Sequence, residues 1–105
     1  MNKELKFKLN YNQLDCVLGY VERLLRRERY DFDDLLEFIV LGRFCRVLRE
    51  KYVVRFDGYK RIGVSLEVGV CLLKHHFVGG YTGYELGVIE PMVSEFDRLF
   101  KNIKL

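Results

Sequence analysis

Leu5, Phe7, Leu9 and Tyr11 alternate with Lys6, Lys8 and Asn10. A period of two with the lysines outward predicts an edge strand. Asn10 offers a helix cap, with Gln13 three residues on in capping-box register. From there Leu14, Val17, Leu18, Val21, Leu24 and Leu25 recur at steps of three and four, which predicts an amphipathic helix over residues 12–29. Its other face carries Asp15, Glu22, Arg23, Arg26 and Arg27.

After a short connection, Asp31 or Asp33 can cap a second helix, and Asp34 and Glu37 suit its positive N-terminal end. This helix, expected over residues 33–52, is apolar around most of its circumference: Leu36, Phe38, Val40, Leu41, Phe44, Cys45, Val47, Leu48. Such a helix is expected to lie at the centre of the fold. Its polar sliver holds Arg43, Arg46 and Glu50, with Arg49 beside it.

Asp57-Gly58 is a turn signal between Y-V-V-R-F and Y-K-R-I-G-V. It could join two strands of a hairpin within residues 52–73. Alternatively, the long helix runs on to about residue 54 and a single strand, residues 59–64, follows. The second reading is adopted, since it lets the later strand pair with the first one. Ile62, Val64, Leu66, Val68, Val70 and Leu72 alternate in strand fashion, yet Ser65 can cap a helix reaching Phe77. The switch from strand to helix is placed at Ser65. A faint repeat supports this: strand, cap and helix occur at 4–29 and again at 59–77, with Cys16 and Cys71 at matching places.

Ile89, Met92, Val93, Phe96, Leu99, Phe100 and Ile103 then line one face of a last helix. Thr82 to Glu85 is a second capping box, so this helix is expected to start near Gly83 and to contain Pro91. The proline ring should crowd the carbonyl of Gly87 and give a kink or a fresh start. The fold predicted for residues 1–105 is one α+β domain, mainly α: strand, two helices, strand, two helices, with a minimal two-stranded sheet. The hairpin at 52–73 is the alternative.

Composition narrows the class. Half of the 105 residues are hydrophobic, with eight Phe, seven Tyr and no Trp, which excludes a disordered chain. Cys16, Cys45 and Cys71 are odd in number, far apart and set in apolar sequence. They read as small buried hydrophobes of a reducing compartment rather than a disulfide framework or zinc cage. M-N-K-E-L-K-F-K-L has no continuous apolar core, so no signal peptide is expected, and no run reaches the roughly 18–20 apolar residues of a membrane span. A soluble, cytoplasmic protein is expected.

The net charge of +3 is unevenly placed. Four acids fall within residues 31–40, between basic segments on either side. Arg23, Arg26, Arg27 and Arg29 close the first helix, and Arg43, Arg46, Arg49, Arg55, Lys60 and Arg61 follow along and after the second. Such cations with Tyr30, Tyr52 and Tyr59 nearby could bind nucleic acid. They also suit helix C-termini, and the acids of 31–37 can neutralise part of the patch.

K-H-H-F-V-G-G-Y-T-G-Y-E-L-G, residues 74–87, holds both histidines and looks most like chemistry. Cys71 stands four before His75, so thiol and imidazole can share a helix face, but two ligands make no site and His76 points about 100° away. Gly79, Gly80, Gly83 and Gly87 match no phosphate-binding motif and read as a helix stop and turn. Ser65 and Ser94 stand in no nucleophile motif, and Asp33/Asp34 and Glu95/Asp97 read as solvated pairs. No catalytic residue, metal ligand, cofactor or small-molecule substrate is therefore assigned, and no enzyme is expected.

What remains is an excess of apolar residues. It either fills a monomer's core or leaves a helix face for isologous pairing. The function expected is that of a small non-catalytic intracellular interaction protein, self-associating as a dimer through apolar helix faces. The alternative is a nucleic-acid-binding accessory protein using Arg23, Arg26, Arg27, Arg43, Arg46, Arg49, Arg55, Lys60 and Arg61.

Overall fold

The computed structural model of the chain describes residues 4–26, 32–76 and 83–102. Strand β1 spans Glu4–Leu9 and leads into α1, Tyr11–Leu25. The Asn10 side chain accepts from the Gln13 N–H, and the Gln13 side chain accepts from the Asn10 N–H, both at 2.8 Å. This reciprocal cap fixes the corner between strand and helix, an arrangement worth about 1 kcal/mol. Next comes α2, Phe32–Tyr52, then β2, Lys60–Ser65. Gly58, between them, has φ of 76°, a left-handed turn that a side chain disfavours. At Ser65 the chain turns into α3, Leu66–His76, and the Ser65 hydroxyl accepts from the Val68 N–H at 3.3 Å. The last helix is α4, Gly83–Lys101.

β1 and β2 pair antiparallel, from Glu4 opposite Ser65 to Leu9 opposite Lys60. The later strand thus pairs with the first one, and the hairpin at 52–73 does not form. Pairing sets Leu5, Phe7 and Leu9 beside Ile62 and Val64 on one face, which the helices cover. Ile62 and Val64 are wholly buried, each worth about 1.5–3 kcal/mol by removal from water. Leu14, Val17 and Val21 of α1, Leu41, Phe44 and Leu48 of α2, Leu72 of α3 and Ile89, Met92 and Phe96 of α4 complete one core. The two strand–cap–helix units of the expected repeat are both present, joined through their strands.

Two expectations change. α2 is less central than its apolar circumference implied. Leu41, Phe44, Cys45 and Leu48 are buried, but Phe32, Leu35, Leu36, Phe38, Ile39 and Val47 remain exposed. And α4 makes no fresh start at Pro91, which lies within one continuous helix. Gly87, four residues back, is exposed, so water can take up the carbonyl that loses its donor. The segments holding Arg27, the Gly79-Gly80 stop and the Thr82 cap lie outside the described residues, as does the side chain of Asp33.

Gly69 explains itself by contact. A methyl group built there would lie under 3.0 Å from the ring of Phe96, so α3 and α4 meet with no room for a side chain. Gly69→Ala should gain about 1 kcal/mol of helix propensity and lose about 1–3 to overpacking against a buried ring. A net loss in urea unfolding is expected, partly restored by adding Phe96→Leu.

Candidate functional site

Buried charge and a groove meet at the seam between α2 and α3. Glu37 sits one turn into α2, and its carboxylate is nearly enclosed. One oxygen lies 2.5 Å from Nε2 of His75, which is itself buried; the other lies 3.4 Å from Nζ of Lys74. Lys74 also reaches toward Asp34, 3.9 Å away. Sequence reading assigned Asp34 and Glu37 to the helix dipole. The structure turns them across to α3, four-residue periodicity placing Cys71 and His75 on the face that meets them.

Burial, and then the carboxylate of Glu37 beside it, push the Cys71 thiol up to about 11. The thiol is thus held protonated at ordinary pH, the unreactive form. With Glu37 hydrogen-bonded to the imidazole, this cluster ties two helices together through polar groups. As they stand, the Glu37 oxygen and His75 nitrogen bond each other. Two donors 2.5 Å apart are too close to share a zinc ion, whose bonds run about 2.0–2.2 Å each in tetrahedral array. Among the described residues no group of three or more His, Cys, Asp or Glu is placed to hold a metal. The side chain of His76 is outside the described residues.

Beside the cluster runs a groove of about 560 Å³, walled by Leu36, Glu37 and Val40 on one side and Glu67, Val70, Cys71 and Lys74 on the other. At Val40 and Glu67 it joins a second hollow of about 300 Å³, which Arg43, Phe44 and Val47 continue toward Gly63 of β2. On α2, Leu36 lines the groove opposite Val70 and Val47 lines the hollow, and Phe32 and Ile39 share their helix face by three- and four-residue spacing. Phe32 is 87% exposed, Leu36 62% and Val70 55%. Arg43 and Glu67, both exposed and both lining this groove, form no ion pair with a described residue.

The arginines fall into two sets. Arg23 pairs at 2.6 Å with Glu85, whose carboxylate is buried in the first turn of α4, and it lies over the ring of Tyr20. Arg26 and Arg49 share Glu22, at 3.9 and 3.5 Å. Arg23 thus links α1 to α4 and Arg49 links α2 to α1, while Arg26, the C-cap of α1, pairs back into the last turn of that helix. Arg43 and Arg46 on α2 and Arg61 on β2 are exposed and unpaired among the described residues. Arg55 lies 5.6 Å over the ring of Tyr11, and Lys60 lies 4.6 Å over that of Phe56. Arg27 is outside the described residues. Glu85, the one acid of residues 74–87, is thus a structural partner of Arg23, and it also helps burial raise the Cys16 thiol.

No family model, curated protein or solved structure matches the chain. Among the described residues no helix is long and apolar enough to cross a membrane.

Glu37→Ala should cost about 1–3 kcal/mol in urea unfolding, because it removes one hydrogen-bond partner of a buried imidazole; Glu37→Gln, which keeps an acceptor, should cost less. The pH dependence follows from the thiol. Its folded value lies above the ordinary 9.0, so its contribution to stability is complete below pH 9 and is lost as pH rises through about 11. Cys71→Ala should flatten the fall in stability over that window. In the native protein Cys71 should resist iodoacetamide at pH 8 until denaturant is added.

Proposed function

We propose that this chain is a small non-catalytic intracellular interaction protein that works as a homodimer, joined through the exposed face of α2 and the groove beside it. The observation that carries this reading is the set of large apolar side chains left in water along one face of α2, Phe32, Leu36, Ile39 and Val47, with Leu36 opposite Val70 across the groove. Contiguous exposed patches of this kind mark association surfaces, whereas scattered ones do not.

Charge supports a second copy as the occupant. The first half of α2 carries Asp33, Asp34 and Glu37; the second half carries Arg43, Arg46, Arg49 and Lys51 against one acid, Glu50. Antiparallel pairing about a two-fold axis sets Leu36 of each copy near Val47 of the other and opposes unlike ends. Arg43 of each copy then approaches Glu67 of the other, giving both groove charges a partner. The helix macrodipoles also oppose favourably. A parallel arrangement would set acid against acid and base against base. The two-fold repeats every contact, so one favourable pair counts twice.

Sedimentation equilibrium should give a dimer whose affinity changes little with salt, since apolar burial drives it. Leu36→Glu and Ile39→Arg should each yield a folded monomer, because both positions are exposed and a surface change alone shifts stability by only about 0.5 kcal/mol. A wild-type protein that stays monomeric at every concentration would refute the proposal.

A further inference from the structure

The outer face of the sheet carries a feature that folding alone does not favour. Register places Lys8 directly opposite Arg61, and Lys6 opposite Gly63. All three cations are exposed, and none pairs with a described acid. Like charges directly across an antiparallel ladder repel and destabilise it. Tyr59, immediately ahead of β2 and two residues before Arg61, is 67% exposed. The even positions of β2 behave differently: Lys60 lies over Phe56 and Ile62 is buried. At the other end, the carboxylate of Glu4 folds over Gly63 and closes the row. The outer face is therefore a small platform of three cations and one exposed ring, with the Glu4 carboxylate at the Lys6 end of the row.

We infer that this platform, Lys6, Lys8, Arg61 and Tyr59, binds single-stranded nucleic acid. Residues two apart on a strand stand about 7 Å apart, so Lys6 and Lys8 offer cations in a regular row along an extended backbone. Lys8 and Arg61 together present charge for two neighbouring phosphates, whose binding relieves the repulsion between the two cations. Tyr59 offers a face on which a base can stack, the sequence-tolerant part of single-strand recognition. Lysines on an edge strand also deter strand addition. In a two-stranded sheet both strands are edges, so that duty extends to Arg61, but it does not account for the exposed ring of Tyr59. The platform does not include the paired arginines of α1, and the inference is independent of pairing through α2.

The test is fluorescence anisotropy of labelled oligothymidylate and oligouridylate with the full chain. Three phosphate contacts predict a slope near −2 for log affinity against log salt between about 50 and 200 mM. The pair Lys8→Ser and Arg61→Ser should weaken binding about tenfold or more by the same counting. Tyr59→Ala should weaken it about fivefold or more, while leaving binding of inorganic polyphosphate unchanged. Arg26→Ser, on the helix whose cations are already paired, serves as the control and should change nothing. Circular dichroism confirms that each surface variant is folded. The inference is overturned by any of three results: absence of binding at low salt, affinity untouched by the paired substitution, or polyphosphate and anionic vesicles binding as well as the oligonucleotides with Tyr59 indifferent.

Discussion

Everything in this fold hangs on the pairing of β1 with β2. Two strands alone are marginal in water. Here they survive because one face of the ladder, Phe7, Leu9, Ile62 and Val64, is sealed by helices. In return the strands orient the helices. Each strand turns at a capped residue into the helix that follows it, Asn10 into α1 and Ser65 into α3. The ladder therefore sets where α1 and α3 begin, and α4 closes over them, with Phe96 against both Phe7 and the bare backbone of Gly69.

Polar groups complete what apolar packing leaves loose. Glu37 with His75 links α2 to α3, and Arg23 with Glu85 links α1 to α4. Both lie at helix seams and both contain an enclosed carboxylate, so each seam accepts few alternative registers. At the far end of the α1–α2 contact, the Tyr11 hydroxyl donates to the carbonyl of Tyr52 at 2.8 Å. The Tyr52 hydroxyl is pushed up to about 12, chiefly by its hydrogen bond to Asp15. These ties act where side chains are long and surfaces polar, and the core proper is free of charge.

Much of the architecture was legible from periodicity. Alternation in 5–11, three- and four-residue steps in 14–25 and 89–100, the Asn10–Gln13 box and the Ser65 switch all correspond to physical events in the structure. The exposure of α2 was not legible. Its sequence is apolar on nearly every side, and burial of one side depends on which neighbours arrive, a tertiary matter. The Glu37–His75 tie was hidden for the same reason: 38 residues separate the partners, and a glutamate early in a helix already has a local explanation. Arginines offered the opposite difficulty. Their clustering was visible, but which ones are neutralised depended on Glu22 and Glu85 crossing between helices. The outward lysines were visible too, though only the register reveals that Arg61 stands against Lys8.

The strand pairing spans most of the chain, with Glu4 lying opposite Ser65. During synthesis, β1 emerges first and must wait for some sixty further residues before its partner appears. Through that interval Phe7 and Leu9 have no ladder to join, while α1 and α2 can already form from local contacts. Closing so long a loop makes the sheet the slow, late event of folding. The outward lysines of β1 then have a temporal role as well: they keep a waiting strand soluble on the ribosome.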